Sequence, residues 1–597
     1  MQTDPGTPHP HRPVLPLRLH VLARVLPFAL GAWATQVHAQ GVPDPSPRTP
    51  AIVPSASELA PPRLPADTAD GARALPPVRT TPAAPPSELG KPADELRIDV
   101  KGYVLDDSAP AELRAALVRI TAAYVGPGKD FEDLANAAAE VTRFLQREMG
   151  YYLAYAYVPE QAAQGGMVKL AVLEGRLDRV LLNWREGLPV DRSVVQAYLE
   201  RLQIGAVLKV RDIERVVFLV NDLRGMTARF ELRPGSTPGT ATLLVTPSAE
   251  QRTSGKLELD ANGNDALGLY RASGLLQINS PLGRGDGLTL NALASSSGGL
   301  AFALLGYNTP LGSDGFKLGA SLSGVQYQLD RATFPLDLHG TAATTNVYGL
   351  YPLVRARNLN LFTLLSLEYK TYDDRNINSA AKRSVQAATL GTTGDFRDSL
   401  LGGGVNTYEL NVVSGLVKPL QGSTPSLEDD ARYTKLTFGY SRLQDLLTGR
   451  ALVYFSLRGQ YTAHNLDTTE QFRLGGPDAV RAFAAGEGTG DKGVVAALEL
   501  RWLPPDAWLG RLAREFVFSV FADAGYVQYR HRPRAGNPPG AEANHVQLSG
   551  VGVGLSWVRA GAYLLRMSVA QATGGTVRGA TEKPGARVYL QAAKLFN

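Results

Sequence analysis

The feature that most limits what this chain can build is a two-residue rhythm that begins near Gln251 and runs to the end. Leu436, Phe438 and Tyr440 alternate with Lys435, Thr437 and Gly439. Val453, Phe455, Leu457 and Tyr461 alternate with Ser456, Arg458 and Gln460, and Tyr563, Leu565, Met567 and Val569 with Arg566 and Ser568. Segments about 10 residues long with one apolar and one polar face, separated by Gly, Asn and Asp turns, are strands. In a membrane barrel the apolar face meets lipid and the polar face lines a lumen. The 347 residues from 251 to 597, at roughly 20–24 residues per tilted strand with its connections, admit about 14–17 strands; even counts are preferred and sixteen is expected. A soluble sandwich of two packed sheets is the alternative, but it would not need arginines on the polar face.

Strand parity places individual side chains. From Phe516 to Val527 the even residues Phe516, Phe518, Val520, Ala522, Ala524 and Tyr526 form an apolar face suited to lipid. The odd residues Ser519, Phe521, Asp523 and Gly525 then point inward. A carboxylate there is costly unless a partner reaches it. A Gly-rich stretch about forty residues earlier offers an arginine, in Val480-Arg481-Ala482-Phe483. Such a charge pair is a functional expectation by default, and a purely structural salt bridge is the plainer alternative.

The N-terminus has the parts of an export signal. Arg12, Arg18 and Arg24 form a basic region, Val25 to Ala34 a short apolar run, and Val37-His38-Ala39 a small-residue cleavage site before Gln40. Residues 1–39 are therefore expected to be removed. The apolar run is too short to span a bilayer. Residues 41–92 hold 14 of the 40 prolines, which favours an extended linker. Ala66 to Leu75 could wind one or two helical turns.

Between these parts lie two passes of one pattern. Arg97 to Val104 alternates as a strand. Ala111 to Tyr124 and the segment opened by Asp130, with Asp133 as its capping-box acid, have helical periodicity. Tyr151 to Pro159 and Met167 to Leu173 are strands. Val180 to Trp184, the helices Asp191 to Leu202 and Val210 to Leu223, and the strands Met226 to Glu231 and Ala241 to Pro247 repeat the order. Each pass is β-α-α-β-β.

Composition removes several function classes. The chain has no cysteine, so thiol catalysis, disulfides and Cys-based zinc sites are absent. A net charge of +5 over 597 residues gives no sign of nucleic-acid binding. His339, His464, His531 and His545 are scattered without metal spacing. Gly550-Val551-Gly552-Val553-Gly554 imitates a dinucleotide fingerprint but lies in an alternating strand with no helix after it. No nucleophile elbow, P-loop or zincin motif occurs, so neither enzyme chemistry nor a cofactor or metal is expected.

From residue 95 onward the chain resembles the outer-membrane transporters of two-partner secretion, of the haemolysin-activator and haemagglutinin-transporter type. Glu174-Gly175 is similar to the close of the family's first polypeptide-transport-associated (POTRA) module. Glu214-Arg215 and Asn221-Asp222-Leu223-Arg224-Gly225 are similar to the second module's signature, with Arg224 where the family usually has Pro. Asn279 to Asp286, and Tyr307 with Pro310-Leu311-Gly312, resemble the first barrel hairpins. Val480 to Phe483 resembles the tip of a loop folded back into the lumen, with Ala482 where Gly is usual. Glu499-Leu500-Arg501 and Phe521-Ala522-Asp523-Ala524-Gly525 resemble the strands after that loop.

The resemblance implies that Arg481 engages Asp523, with Phe521 and Gly525 beside it on the wall. It also implies that Phe596, with Val588, Leu590 and Ala592 on the outward face, serves as the C-terminal insertion signal. The expected plan is a signal peptide (1–39), a Pro-rich linker or plug (40–93), POTRA domains at 94–178 and 179–248, and a barrel at 249–597 with its lumen loop around 472–493. The implied task is export of a large partner exoprotein, an adhesin or cytolysin, whose N-terminal secretion domain the POTRA domains bind. The implied surroundings are outer-membrane lipid and the barrel-assembly machinery. A barrel-assembly factor is the alternative, although two modules suit a dedicated exporter better. A passive channel or nutrient receptor would not need the paired modules.

Overall fold

Alternation of apolar and polar residues closes the C-terminal region on itself. In the computed structural model, sixteen antiparallel strands form a closed barrel in sequence order. They are β1 (Thr253–Asp260), β2 (Arg271–Asn279), β3 (Gly287–Ser295), β4 (Leu300–Pro310), β5 (Lys317–Gln328), β6 (His339–Arg355), β7 (Leu359–Arg375) and β8 (Ala380–Asp398). The ring continues with β9 (Gly404–Leu420), β10 (Arg432–Asp445), β11 (Ala451–Thr462), β12 (Lys492–Trp502), β13 (Phe516–Gln528), β14 (His545–Arg559), β15 (Tyr563–Gly574) and β16 (Ala586–Phe596). The structure describes residues 48–60, 97–106, 109–161, 165–421, 423, 426, 428–447, 449–533, 543–577 and 585–596. The expected signal peptide and the helical turns at Ala66 to Leu75 lie outside them.

Pairing of β1 with β16, from Asp260 opposite Gln591 to Gly255 opposite Phe596, closes the ring. Closure leaves no open sheet edge in the bilayer, where unpaired backbone groups would be costly. Leu257, Leu259, Leu305, Leu322, Leu498, Leu500 and Val520 are exposed outward, as a lipid-facing band requires. Among the described residues no helix is long and apolar enough to cross a membrane.

The two modules precede the barrel. In the first, Asp130 accepts the backbone N–H of Asp133 at 2.9 Å and starts the helix Phe131–Arg147. That helix and Ala111–Thr121 pack Leu113, Leu134, Val141 and Leu145 onto Val168 and Leu170 of the sheet. Each such fully buried side chain stabilises by about 1.5–3 kcal/mol. In the second, helices Arg192–Leu199 and Val210–Asn221 cover a sheet in which Arg176–Leu182 runs parallel to Thr240–Ala249 and Met226–Pro234 antiparallel to it.

Several local expectations change. The strand expected from Arg97 to Val104 divides into Ile98–Val100 and Gly102–Leu105, which belong to different sheets. The strand expected from Tyr151 to Pro159 shrinks to Tyr155–Tyr157, because Tyr151 bridges to Lys209 and the N–H of Tyr152 donates to Leu208, joining the modules. The strand expected at Val180 starts at Arg176, where pairing with Thr240 begins. An unexpected strand, Gly126–Lys129, pairs with Ile98–Val100; Gly126 and Gly128 have φ of 140° and 65°, so its sequence carries turn residues rather than alternation. The lumen loop expected around 472–493 occupies 463–491, because Lys492 already pairs with Gln528 in the wall.

Candidate functional site

The loop between β11 and β12 folds into the barrel, and its tip meets the wall at Asp523. Asp523 lies on β13 at inward parity and is 2% exposed. One carboxylate oxygen accepts the backbone N–H of Arg481 at 3.0 Å and its Nε–H at 2.9 Å, and the other accepts Nη2–H at 2.8 Å. Nη1–H donates to Glu499 of β12 at 3.1 Å, and Arg501 donates to the second oxygen of Glu499 at 3.0 Å. The guanidinium stands 3.3 Å over the ring centroid of Phe521. A fork of this kind fixes direction as well as distance, which a lysine could not do.

Glycines on the wall make room for the tip. A Cβ on Gly550 would lie 2.6 Å from that of Ala482, and one on Gly525 would lie 2.3 Å from Leu474. Ala482, where the resemblance leads one to expect Gly, is thus accommodated by a glycine across from it. Val480 and Phe483 are buried with Leu474, Phe521 and Leu548 in one apolar cluster, and Tyr589 of β16 donates to the Phe483 carbonyl at 3.1 Å. The repeated glycines from 550 to 554 lie in β14, where Gly552 faces Phe521.

A second anchorage, not anticipated from the sequence, holds the start of the loop. Glu470 is 4% exposed and meets Lys370 of β7 at 2.9 Å and Lys435 of β10 at 3.0 Å. Asp467 meets Arg383 of β8 at 2.8 Å, and the same guanidinium pairs with Asp374 of β7. Asp491, at the loop's end, accepts from Gln471 at 2.8 Å and from the N–H groups of Leu466 and His531 at 3.1 and 2.9 Å. Buried carboxylates need partners of this number to be tolerated. Charged residues at inward parity within a strand, as in Glu368, Lys370 and Asp374 of β7, were the available signal.

Residues 48–60, from the Pro-rich segment, also lie in the lumen. The Thr49 hydroxyl lies 2.9 Å from both oxygens of Asp374 and accepts from Arg383 at 3.0 Å. Arg48 donates to Asp429 at 3.1 Å, Asn291 of β3 donates to the Leu59 carbonyl at 3.1 Å, and Arg473 of the loop pairs with Glu58. Val53 is buried against Leu300, Phe302 and Tyr327 of the wall. A cavity of about 260 Å³, lined by Thr393, Glu409, Ser456, Arg458 and Asp478 among others, opens between wall and loop.

Glu174-Gly175 lies between the two modules, where the Gly175 carbonyl accepts the Leu208 N–H at 2.9 Å. The signatures at 214–215, 221–225 and 279–286, with Tyr307, form the joint between the second module and the barrel. Asp222 takes Arg355 of β6 in a two-point pair, 2.7 and 3.0 Å long. The N–H of Arg224 donates to Gly285 at 3.1 Å and that of Asp191 to Gly283 at 2.7 Å. Asp286, fully buried, gathers Tyr307 Oη–H at 2.9 Å and the N–H groups of Leu282 and Arg284, which shapes the β2–β3 hairpin for this contact. Arg215 donates to the Asp314 and Pro352 carbonyls at 3.1 and 3.0 Å, and Glu214 faces Arg357 at 3.8 Å. The joint therefore occupies the β2–β3, β4–β5 and β6–β7 connections. At the far end of the chain Phe596 is outward and half exposed in β16.

Residues 239–557 match the haemolysin secretion/activation proteins ShlB/FhaC/HecB, and residues 98–175 match the ShlB-type POTRA domain. The heme/hemopexin transporter protein HuxB of Haemophilus influenzae is 25% identical over 500 residues, covering 83% of this chain and 86% of that protein. The outer membrane transporter CdiB of Dickeya dadantii is 26% identical over 427 residues, covering 69% and 73%. Among solved structures, CdiB from Escherichia coli superposes with a TM-score of 0.67 at 21% identity, covering 87% of this chain and 94% of that one. Together with the closed sixteen-stranded barrel, these matches place the chain in the haemolysin secretion/activation (ShlB/FhaC/HecB) family: it is an outer-membrane transporter of two-partner secretion, with POTRA domains in the periplasm and a barrel that exports a partner exoprotein.

Proposed function

We propose that the barrel is closed at rest by two separate elements, the loop 463–491 and the segment 48–60, and that an unfolded exoprotein replaces them during export. The observation that carries this reading is that both elements use one set of wall charges: Arg383 and Asp374 hold Thr49 of the segment and Asp467 of the loop. Arg481, with Val480, Ala482 and Phe483 packed around it, keeps the loop tip on Asp523, Phe521 and Gly525 in the closed position. The POTRA domains take up the partner's N-terminal secretion domain by adding an extended segment to a sheet edge. The polar lumen offers that segment a wet path, and folding outside the cell supplies direction without nucleotide hydrolysis or any enzymatic step. The exoprotein is large, of adhesin or cytolysin type. An N-terminal signal peptide exports the chain, and the β16 strand ending at Phe596 is read by the barrel-assembly machinery.

The deciding experiment follows secretion of a candidate partner, any large exoprotein whose gene neighbours this one, in cells with and without this chain. Appearance in the medium only when the chain is present supports the reading. Appearance regardless, or loss of unrelated outer-membrane barrels, favours an assembly factor and overturns it.

A further inference from the structure

The periplasmic rim of the barrel has two unlike halves. Three connections, β2–β3, β4–β5 and β6–β7, receive the second POTRA domain. The first three connections expose Leu282 and Leu311, and those that follow on the same rim carry larger exposed apolar groups: Leu400 and Leu401 after β8, Leu446 and Leu447 after β10, and Trp508, Leu509 and Leu512 after β12. The last of these, residues 503–515, folds into the helical turn Asp506–Leu509 and the 3₁₀ turn Gly510–Arg514. Trp508 is 70% exposed there.

Its direction is set by stacking. Trp508 packs edge-on to Trp502 at 5.4 Å, and Trp502 lies 5.8 Å from Phe518 across the β12–β13 pair. Trp502, half-buried, shares its face with Leu498 and Leu500, and Phe518 shares its face with Val520; Leu498, Leu500, Phe518 and Val520 are exposed on the lipid side. Trp508 is therefore on the outside of the barrel, continuous with the lipid-facing band. Phe516 stacks on Trp557 at 5.3 Å and Trp557 meets Tyr563 at 5.0 Å, extending the belt to β15. Its polar fringe turns toward the periplasm: Trp557 Nε1–H donates to Glu515 at 2.9 Å, Arg450 ties the β10–β11 hairpin to Asp506 at 2.8 Å, and Arg511 and Arg514 are exposed. Three of the chain's five tryptophans fall in this cluster.

We propose that the 503–515 connection is a membrane anchor lying in the periplasmic phospholipid leaflet, with Trp508, Leu509 and Leu512 at the acyl boundary and Arg511 and Arg514 on anionic headgroup phosphates. Aromatic rings at the headgroup level and cations facing anionic lipid are the chemistry such a layer selects. The connection lies eight strands around the ring from β4–β5, the middle of the POTRA joint. It holds the barrel on the side away from the domain, and so fixes the tilt that the one-sided joint would otherwise bias.

The absence of cysteine makes the test direct. A nitroxide on L512C, in full-length protein reconstituted into phosphatidylethanolamine–phosphatidylglycerol vesicles, reports depth from its relative access to oxygen and to a water-soluble nickel chelate. V520C serves as the bilayer reference and E186C, on the exposed face of the second module, as the aqueous one. We expect the 512 label to resemble position 520 and to move toward the aqueous reference in the W508A/R511Q/R514Q background, with barrel folding checked by heat-modifiable gel mobility. Nickel access equal to that at 186 overturns the proposal. So does a label shielded from both reagents, which would mean protein, such as a second copy, covers this face. In phosphatidylcholine alone the label is expected to become shallower; unchanged depth would overturn the part assigned to the arginines.

Discussion

Asp222 and Arg355 join the second POTRA domain to the barrel through two parallel hydrogen bonds, and both side chains are largely buried. Arg355 also stands 4.9 Å over the Phe218 ring, so the cation is held from two sides. Asp222→Ala leaves that cation without its carboxylate and is expected to weaken docking by roughly 2–3 kcal/mol. Spin labels at E186C and at a barrel cysteine should then give a broader distance distribution. An unchanged distribution would mean that the hydrogen bonds of the Arg215 guanidinium and the Arg224 N–H to barrel carbonyls suffice.

Truncating either partner of the loop-tip pair strands a buried charge, a cost of about 3–5 kcal/mol. Arg481→Ala and Asp523→Ala are each expected to lower secretion strongly while the barrel inserts at normal abundance. Arg481→Lys should be nearly as defective, because a single ammonium cannot span Asp523 and Glu499. Normal secretion by both alanine variants would remove the role assigned to the pair; lost abundance would make it structural.

Deleting residues 48–60 clears the contacts to Asp374, Asp429, Asn291 and Arg473. The variant should conduct ions more strongly in planar bilayers than the intact chain. Arg473→Ala, which loses the pairing with Glu58 and the hydrogen bond to the Val53 carbonyl, should open briefly and more often. Identical traces for all three proteins would refute a closing role for the segment.

Phe596→Ala removes the outward aromatic from the strand that closes the barrel against Gly255. The amount of heat-modifiable barrel in the outer membrane should fall, while total synthesis is unchanged. Unaltered assembly would show that the earlier outward residues Val588 and Leu590 suffice.

The Asp178 carboxyl is held below its ordinary value, first by the Ser236 N–H that it accepts and then by Arg179. Because its folded-state value is lowered, its contribution is present above about pH 4 and is lost as pH falls through that lower value. The protection of the Ser236 amide, taken as its exchange rate relative to the intrinsic rate at each pH, should therefore fall on acidification, and Asp178→Asn should abolish that fall. The same fall in the asparagine variant would assign it to another group.

The sequence exposed the barrel well because parity is a local property. Val520 out and Asp523 in follow from counting along β13 alone. The β-α-α-β-β modules were legible for the same reason, down to Asp130 and Asp133 at a helix start. The second anchorage was not, since Glu470 and Lys370 lie 100 residues apart and nothing local links them. Residues 48–60 were hidden by their prolines, which predict extension but not where an extended chain will lie. The signatures at 221–225 and 279–286 could be read as motifs, yet only the folded chain shows them to be the two halves of one joint.

The two fixings of the lumen loop have opposite polarity. At the tip a loop cation sits between wall carboxylates, Asp523 and Glu499; at the base, loop carboxylates sit between wall cations, Lys370, Lys435 and Arg383. A loop that leaves both stations bares wall charges of both signs to the lumen, carboxylates at one station and cations at the other. A passenger with charges of one sign can replace the loop at one set of wall groups, and a passenger with both signs can replace it at both, so the open channel is mixed in charge where the closed one is paired.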